Sequence, residues 1–345
     1  MKNIELSPES LLLAGFKFPH HSSCSGYQNL VDYLPGTFID ANKFFLGDSD
    51  FGTLRRKINM GLFELFLKFK APKFKVYHAF YSENHVLFSI PNNANLISVA
   101  TVHLPLDWLD ADKYKGSIWT RMRRNAFQNL NGIITLSKGQ VPTLQSLLPK
   151  THIKFIPYGI NPIYPRNKMI LNREKLKIIV LGSNFRDKYT FFEIVKYAIK
   201  YKPDWQFSLV GASNDWKTEA LEFPNVKVYP YVSDQEYLKI IEDCHINLLP
   251  VTFATANSAL LEAHAMGLPS ICTNTLGIVD YSLETTKFFE DINSAIRLIS
   301  NIDEMSESEY YDLRQRTATQ ATEFFWPSIA KQVVQFYNEL SSGVV

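Results

Sequence analysis

The sequence predicts an α/β protein of two domains, each built around a doubly wound parallel sheet. The chain has 345 residues, which exceeds one typical domain and suits two of roughly 150–180 residues. Its composition, 46% hydrophobic and 20% charged, is that of an ordinary globular protein. Short apolar runs alternate with stretches of helical periodicity, and this alternation is typical of parallel strands joined by helices.

The strand candidates follow one another through both halves of the chain. The first half offers LLLAGF, TFIDANKFF, KVYHAFY, NLISVATVH, NGIITLS and IKFIPYGI. The second half offers LKIIVLGS, WQFSLVGAS, VKVYPYVS, HINLLPV and PSICTNT. Between the halves, residues 161–175 contain two prolines and a polar tail, which are typical of a linker. We therefore predict one domain over residues 1–165 and a second over residues 166–325.

The last forty residues are helical in character. Apolar side chains recur at helical spacing from Trp326 to Phe336, and Pro327 suits a first helical turn. A helix of this kind needs a surface to cover. We predict that residues 326–345 form it and that in a two-domain protein it can pack across the hinge.

The lack of a targeting pattern and the cysteine usage predict a cytoplasmic protein. No apolar run reaches the roughly 18 residues that span a bilayer, and the segment MKNIELSPES lacks a signal-peptide pattern. The three cysteines, Cys24, Cys244 and Cys272, are scattered, which favours reduced thiols over a disulfide framework or a zinc site.

Charge is distributed unevenly along the chain. Residues 1–160 carry 18 Lys+Arg and 11 Asp+Glu (18 − 11 = +7), and residues 161–345 carry 18 and 23 (18 − 23 = −5). A basic first half suggests contact with an anionic surface or substrate, although chance composition explains a balance of this size equally well.

A basic stretch at residues 54–75 mixes seven cations with Leu, Ile and Phe. It fits a helix on an anionic membrane, to which residues 119–127 (WTRMRRNAF) can add, and it fits an amphipathic helix packed on its own sheet. Peripheral contact with the inner face of a membrane is therefore one of two open interpretations. We expect no nucleic-acid partner.

The segment TFATANSALLEAHAMGLPSICT (252–273) predicts a short helix between two strands. The small residues Asn257, Ser258 and Ala259 at its start would let a diphosphate approach the unpaired amides of the first turn. Glu262 lies one turn deeper on the same face, where its carboxylate can accept hydrogen bonds from ribose hydroxyls. The alternative is an ordinary sheet-packed helix with a solvent-facing glutamate.

A second candidate site is LGSNFRDK (181–188), which follows a strand and enters a helix. Arg186 and Lys188 would then lie at the carboxyl end of a strand, where doubly wound sheets bind ligands. Two cations there suit a pyrophosphate leaving group. The alternative is a pair of solvated charges at a helix start.

The first half offers weaker candidates. Ser25-Gly26 precedes a predicted helix, and a glycine there permits close approach of an anion or sugar, or makes a simple turn. His103 ends a strand, where it can contact a sugar hydroxyl or serve only structure. Further polar residues in YHAFYSENH have less positional support: His78, Glu83 and His85.

Metal binding is not expected. Two Asp-x-Asp pairs can in principle hold a divalent ion, but both lie in polar, loop-like sequence: Asp48 with Asp50, and Asp110 with Asp112. The eight histidines show no ligand spacing.

Taken together, these segments resemble the GT-B glycosyltransferases, in particular glycosyltransferase family 4 (glycosyl transferases group 1), from about Ala100 to Leu340. LLEAHAMGLPSI is similar to the LEAMAxGxPV pattern that ends the family's Glu-(seven residues)-Glu signature, and Glu262 matches its second glutamate. The resemblance implies that Glu262 contacts the nucleotide ribose.

Other motifs carry the same resemblance. LGSNFRDK, which includes Gly182, looks like the family's Gly-Arg…Lys-Gly loop, so the resemblance implies that Lys188 holds the diphosphate and that Arg186 substitutes for the usual arginine. It further implies a base contact near Tyr231 and Val232. The remaining matches are the first-domain glycine loop at Ser25-Gly26, a sugar-contacting histidine at His103, and a C-terminal helix that crosses back to the first domain.

One departure is clear, because the first signature glutamate falls at Ala254. In the family that carboxylate contacts the donor sugar, and Asp280 lies roughly where another glutamate often occurs.

The resemblance implies two Rossmann-like domains facing a cleft and a retaining, metal-independent transfer of sugar. The donor would be a nucleotide-diphosphate sugar, with no further cofactor, and the acceptor a hydroxyl of a glycan or lipid-linked glycan. Two alternatives remain open: a catalytically silent binding or partner subunit, which Ala254 motivates, and a nucleotide-sugar 2-epimerase.

Overall fold

The computed structural model describes residues 5–17, 24–44, 53–88, 95–109, 118–165, 174–230 and 232–343. The chain divides into two compact units: the first comprises Met1–His21, Gly26–Gly159 and Trp326–Val345, and the second comprises Ser22–Ser25 and Ile160–Phe325. Each unit contains one six-stranded sheet, and every strand pair in both sheets is parallel. The predicted α/β class with two doubly wound sheets is confirmed.

The sheet of the first unit has the order β2-β1-β3-β4-β5-β6. Its strands are β1 (Leu11–Gly15), β2 (Thr37–Asp40), β3 (Val76–Ala79), β4 (Ile97–Val102), β5 (Gly132–Thr135) and β6 (His152–Phe155). Its helices are α1 (Leu54–Lys70), α2 (Ser82–His85), α3 (Ile118–Gln128) and α4 (Gln140–Leu147), with 3-10 turns at Tyr27–Tyr33, Ala41–Lys43, Ala71–Lys73 and Leu106–Leu109. The central strands are almost entirely buried because both faces of a parallel sheet are covered.

The sheet of the second unit has the order β12-β11-β10-β7-β8-β9. Its strands are β7 (Leu176–Leu181), β8 (Trp205–Val210), β9 (Val226–Tyr229), β10 (Ile246–Leu249), β11 (Ser270–Thr273) and β12 (Lys287–Phe289). Its helices are α5 (Lys188–Tyr201), α6 (Asn214–Ala220), α7 (Asp234–Glu242), α8 (Ser258–Ala265), α9 (Leu276–Val279), α10 (Ile292–Asp303) and α11 (Glu307–Ala321), followed by a 3-10 turn at Thr322–Phe324. The edge strand β12 has no counterpart among the predicted strands.

The predicted strand TFIDANKFF is shorter than expected. It ends at Asp40, whose side chain accepts the amide of Asn42 at 2.9 Å and caps the 3-10 turn that follows. This local hydrogen bond competes with continued strand pairing.

The boundary between the units falls at Gly159–Ile160, before the predicted position at residue 165. The amide of Ile160 donates to the carbonyl of Phe324 at 3.0 Å, and the amide of Asn161 donates to the carbonyl of Cys24 at 2.9 Å. These two bonds place the start of the predicted linker, together with Cys24, in the second unit. Residues 166–173 of that linker lie outside the described residues.

The C-terminal helix α12 (Trp326–Ser342) belongs to the first unit. Trp326 is fully buried and its ring lies 5.4 Å from that of Tyr27. The hydroxyl of Tyr337 lies 2.7 Å from Nδ1 of His78, whose Nε2 lies 2.7 Å from Oγ1 of Thr101. Burial lowers the pKa of His78 to about 3, so this candidate is a neutral structural histidine beneath α12.

Across the described ranges, no helix combines the length and the apolar character needed to cross a membrane.

Candidate functional site

Helix α8 begins at a cap that leaves its first amides available to a ligand. Asn257 is the N-cap, and its Oδ1 accepts the amide of Leu260 at 3.0 Å. Ser258 and Ala259 have small, half-buried side chains. Because first-turn amides lack intrahelical partners and the dipole adds positive potential, this start favours an anion.

The end of α8 follows the predicted Gly-x-Pro stop. Gly267 has a φ of 70°, its amide donates to the carbonyl of His264 at 2.9 Å, and the amide of Leu268 donates to that of Ala263 at 2.8 Å. This pair of bonds is a Schellman motif, which needs a left-handed residue and therefore glycine.

Glu262 is only 3% exposed, which excludes the solvent-facing alternative for this residue. The hydroxyl of Tyr237, on α7, donates to Oε2 of Glu262 at 2.5 Å. Burial first, and then the carboxylate of Glu262, raise the pKa of Tyr237 well above its ordinary value. Tyr237 therefore stays protonated and orients the carboxylate as a fixed donor.

Tyr237 is a site residue that the sequence analysis did not identify. A signal existed, since a tyrosine hydroxyl enclosed on a packed helix usually requires a partner. The partner lies 25 residues along the chain, and only the packing of α7 beside α8 brings the two together.

Hydrogen bonds to main-chain carbonyls fix the side chain of Arg186 in the loop after β7. Nε and NH2 of Arg186 donate to the carbonyl of Leu181 at 3.2 and 2.9 Å, and NH1 donates to that of Asn184 at 3.1 Å. Gly182 (φ 72°) and Phe185 (φ 54°) provide the left-handed turns that fold the loop back on itself. A Cβ at Gly182 would lie 3.7 Å from NH2 of Arg186.

Arg186 remains a cation at neutral pH. Burial lowers the pKa of its half-buried side chain to about 10, opposed by Cys272 and Tyr237. Among the described residues no carboxylate pairs with it, since its donors all reach main-chain carbonyls. A partly desolvated cation without an acidic partner is a favourable position for a ligand anion.

Main-chain hydrogen bonds join this loop to the segment that leads into α8. The amide of Asp187 donates to the carbonyl of Pro250 at 2.7 Å, and the amide of Thr252 donates to that of Phe185 at 2.9 Å. Strands β7 and β10 are neighbours, and the strand order reverses between them. Their carboxyl ends are therefore the topological switch point, where doubly wound sheets bind ligands.

Lys188 points to a different set of partners. Its Nζ lies 2.8 Å from Oε2 of Glu219 and 3.4 Å from Oδ2 of Asp215, both on α6. The hydrogen bond to Glu219 is the main cause that raises the pKa of Lys188. A diphosphate would have to compete with these carboxylates, which the sequence did not predict.

Val232 precedes α7 and packs in one apolar cluster with Ala259 and Tyr237, so the proposed base contact lies beside α8. Tyr231, the other residue predicted there, lies outside the described residues.

The peptide group of Ala254, at the position of the missing glutamate, is in close contact with α9, although the residue itself is half-buried. A Cβ placed on Gly277 would lie 1.9 Å from the carbonyl oxygen of Ala254, so the start of α9 rests directly on that peptide group. Asp280 caps the end of the same short helix and is half-buried.

In the first unit, His103 follows β4 and is held on two sides. Its Nε2 donates to the carbonyl of Phe80 at 3.0 Å, and its ring stacks on that of Tyr81 with centroids 4.5 Å apart. The carboxylate of Glu83 accepts the main-chain amide of His103. Because a carbonyl oxygen can only accept, Nε2 carries a proton.

Gly26 begins a 3-10 helix where the sequence predicted only a helix. Its φ of 117° suits glycine, and its amide donates to the hydroxyl of Tyr158 at 2.7 Å. Ser25 is 6% exposed and belongs to the second unit, so the predicted pair is divided at the unit boundary. Tyr27, the next residue, places its ring edge 4.8 Å from the ring of His103.

The structure thus brings several predicted residues together at one edge of the second sheet: Gly182, Arg186, Asn257, Ser258, Ala259 and Glu262. Lys188 is turned toward α6, and His103 and Gly26 lie in the first unit. Within the described parts of the chain, no three His, Cys, Asp or Glu side chains form a metal-binding group. The Asp-x-Asp pairs lie outside those parts.

Comparison with known proteins shows what the second unit is similar to. Residues 166–324 match the family model for glycosyl transferases group 1. No curated protein matches the sequence significantly.

Solved structures match across both units. Sucrose-phosphate synthase from Thermosynechococcus elongatus aligns with a TM-score of 0.69 at 16% identity, over 97% of this chain and 90% of that one. The N-terminal domain of Candida albicans trehalose-6-phosphate phosphatase aligns with a TM-score of 0.71 at 11% identity, over 99% of both chains.

A third similar structure is S. aureus TarM in complex with fondaparinux, alpha-GlcNAc-glycerol and UDP. It aligns with a TM-score of 0.63 at 14% identity, over 81% of this chain and 59% of that one. Residues 166–324 therefore match the glycosyl transferases group 1 family, and the chain as a whole has an α/β fold like that of the GT-B glycosyltransferases.

Proposed function

We propose that the protein transfers a sugar from a nucleotide-diphosphate donor to a hydroxyl of a glycan or lipid-linked glycan. One observation carries the proposal: Arg186, a cation without a carboxylate partner in the described chain, lies on a loop hydrogen-bonded to the segment that enters α8. A diphosphate at this edge would meet the guanidinium and the first amides of α8 together.

The donor then occupies the second unit in a defined order. Glu262, oriented by Tyr237, accepts hydrogen bonds from the ribose hydroxyls. The amides of Ser258 and Ala259 bind the diphosphate, and the base lies toward Val232. Lys188 contributes once the ligand draws its ammonium group away from Glu219.

The chemistry requires stabilisation of a leaving phosphate. The bond between the anomeric carbon and the phosphate oxygen breaks, and negative charge develops on that oxygen. The acceptor oxygen bonds the anomeric carbon, and its proton passes to the departing phosphate. Arg186 and the dipole of α8 are fixed positive groups at the place where this charge grows. On this basis we propose a metal-independent reaction, retaining as in glycosyltransferase family 4.

The acceptor side is assigned to the first unit. His103 is the proposed contact to a sugar hydroxyl, and hydrogen bonds to its main-chain amide and from its Nε2 hold the imidazole in place. TarM, which shares the fold, was solved with UDP and alpha-GlcNAc-glycerol, in line with a nucleotide and a glycosylated acceptor. We also propose that the protein works in the cytoplasm, in peripheral contact with an anionic membrane that presents a lipid-linked acceptor.

The site assignment is tested by calorimetry. A thermal-shift screen of nucleoside diphosphates and their sugars first identifies a ligand, and Glu262→Ala is then compared with Glu222→Ala, an exposed glutamate of the same unit. We expect Glu262→Ala to weaken binding at least tenfold, about 1.4 kcal/mol, and Glu222→Ala to change nothing. Equal affinities in the two folded variants would exclude the site.

Ala254 supports a second candidate, a binding or partner subunit without transfer activity. Release of nucleoside diphosphate that depends on an added acceptor would exclude that candidate. Interconversion of nucleotide sugars without an acceptor would instead indicate the 2-epimerase alternative.

A further inference from the structure

Helix α1 carries a stripe of large apolar side chains that are exposed to solvent. Leu54, Ile58, Leu62, Leu65 and Phe69 are 73%, 48%, 38%, 41% and 77% exposed. Steps of four, four, three and four residues place all five on one face along the full length of the helix.

This stripe is separate from the face that packs on the protein. The buried positions of α1 lie on the opposite side and include Met60, Phe63 and Leu67. Packing within the first unit, which includes contacts with α2, therefore accounts for one apolar face, and the described residues leave the other face uncovered. Single exposed apolar residues are normal, but five in a row on one helix indicate a contact surface.

Cations border the stripe, and α1 itself carries no exposed acid. Arg55 and Lys57 are exposed near the start of α1, and Lys68 and Lys70 are half-exposed near its end. Lys73 and Lys75 continue the basic character beyond the helix. The one acid between residues 54 and 75 is Glu64, which is 6% exposed and accepts the amide of Leu87 at 2.5 Å.

A second helix of the same unit has a similar start. Ile118 and Trp119 of α3 are 63% and 60% exposed, and Arg121 beside them is exposed. Later in α3, the guanidinium of Arg123 lowers the pKa of Glu64, which lies on α1. The two helices are therefore close to each other. Tryptophan is a residue that commonly lies at the boundary between water and lipid.

We propose that α1, assisted by the start of α3, docks on the surface of an anionic lipid bilayer. The apolar stripe would enter the boundary between headgroups and acyl chains, while Arg55, Lys57, Lys68 and Lys70 meet lipid phosphates. At 1.5 Å per residue the 17-residue helix is about 25 Å long, and it lies along the surface rather than across it.

Charge favours a bilayer over a second copy of this chain. An isologous contact between two α1 helices would bring the two sets of flanking cations together without an exposed acid from either helix to offset them. In an anionic membrane, lipid phosphates would pair with these cations. The apolar side chains could enter the bilayer without a complementary protein surface. This inference assigns a surface to the membrane contact proposed above, and it does not depend on the proposed sugar transfer.

Co-sedimentation of the full-length protein with lipid vesicles tests the inference. The vesicles are phosphatidylcholine alone, or phosphatidylcholine with phosphatidylglycerol, each at low and high salt. Wild-type protein should bind the anionic vesicles at low salt at least about tenfold more tightly than the neutral ones, and high salt should weaken that binding.

Matched variants locate the surface. The double variant Leu54→Glu with Phe69→Glu should lose binding to anionic vesicles about tenfold or more. The control, Leu221→Glu with Leu276→Glu, changes side chains that are 83% and 74% exposed in the second unit and should bind like wild type. The substituted residues are all exposed, so all of these proteins should fold.

Three outcomes overturn the inference. The first is wild-type protein that stays in the supernatant with anionic vesicles at low salt. The second is equal binding of the two double variants to those vesicles. The third is a lipid-free dimer, detected by light scattering, that only the α1 double variant dissociates. Nucleoside-diphosphate binding by the α1 variant should equal that of wild type, so a failure here is distinct from a failure of the donor site.

Discussion

The carboxylate of Glu83 fixes the main chain at His103. Oε1 of Glu83 accepts the amide of His103 and, at 2.6 Å, the amide of Leu104. Because these two residues follow β4, the carboxylate sets the direction in which the chain leaves the strand and so the position of the imidazole. Within the described structure, Oε2 of Glu83 has no hydrogen-bond partner.

A second buried carboxylate does the same for a neighbouring loop. Glu64 accepts the amides of Leu87 and Phe88, and Arg123 lies near both carboxylates. Burial raises the pKa of Glu64 to about 8 and that of Glu83 to about 7, while Arg123 opposes both shifts. These are costly groups to keep ionised, and their shared role is to hold loops at the carboxyl edge of the first sheet.

Glu83→Gln should change how stability depends on pH. The pKa of Glu83 rises from 4.5 to about 7 on folding, so the folded state binds the proton more tightly. The stability that this group contributes is therefore present at low pH and is lost as pH rises from 4.5 to about 7. Over this window the free energy of unfolding falls by about 3 kcal/mol. Glutamine does not titrate, so it abolishes this loss while its side-chain oxygen still accepts the amides of His103 and Leu104.

Urea unfolding of wild type and variant across that pH window measures the effect. As pH rises, the free energy of unfolding of wild type should fall relative to that of the variant. A difference that is constant with pH would show that Glu83 does not titrate as described.

Tyr237→Phe should weaken donor binding through Glu262. The substitution leaves the carboxylate in place but removes the hydroxyl that donates to it at 2.5 Å. A hydrogen bond to a charged group contributes about 1.5–3 kcal/mol, so affinity for the nucleoside diphosphate should fall at least about tenfold in calorimetry. Tyr201→Phe, at a tyrosine that is 56% exposed in the same unit, is the control. Equal affinity in both variants would mean that Tyr237 does not orient the carboxylate for ligand.

The contrast between Tyr237 and the strands shows what the sequence could predict. Buried parallel strands such as β7 are continuous apolar runs, so local composition reveals them. The edge strand Lys287–Phe289 has only three residues, too few for any pattern. The pairs Tyr237–Glu262 and Lys188–Glu219 join side chains on different helices, and their contacts depend on how those helices pack.

The same limit applies to the role of Arg186. The sequence predicts its position after a strand. Its hydrogen bonds to the carbonyl of Leu181 instead depend on two left-handed residues in the loop. Of these two, Phe185 carries no such signal, because a positive φ is uncommon in a residue of this size.

Arg186→Ala should reduce kcat more than it alters binding of the nucleotide. The guanidinium is placed where charge grows on the leaving phosphate, so its loss should lower kcat about 100-fold or more. Arg186→Lys keeps the charge but loses the planar fork, and should recover only part of the rate. Arg297→Ala, at an exposed arginine of the second unit, should leave kcat unchanged. Steady-state kinetics at saturating donor distinguish these results, and a wild-type kcat for Arg186→Ala would remove Arg186 from the reaction.

Gly277→Ala should destabilise the second unit because the start of α9 rests on the peptide group of Ala254. The added methyl group would lie 1.9 Å from the carbonyl oxygen of Ala254 and 2.4 Å from its carbonyl carbon, so main chain must move on one side or the other. Overpacking of this kind costs about 1–3 kcal/mol, measurable as a lower urea midpoint.

Gly61→Ala is the matched control, since nothing lies within 4 Å of its added Cβ and the site is inside α1. That substitution should raise stability by about 0.5–1 kcal/mol, because alanine loses less backbone entropy in a helix. If Gly277→Ala were as stable as wild type, the contact between α9 and the peptide group of Ala254 would be looser than this structure has it.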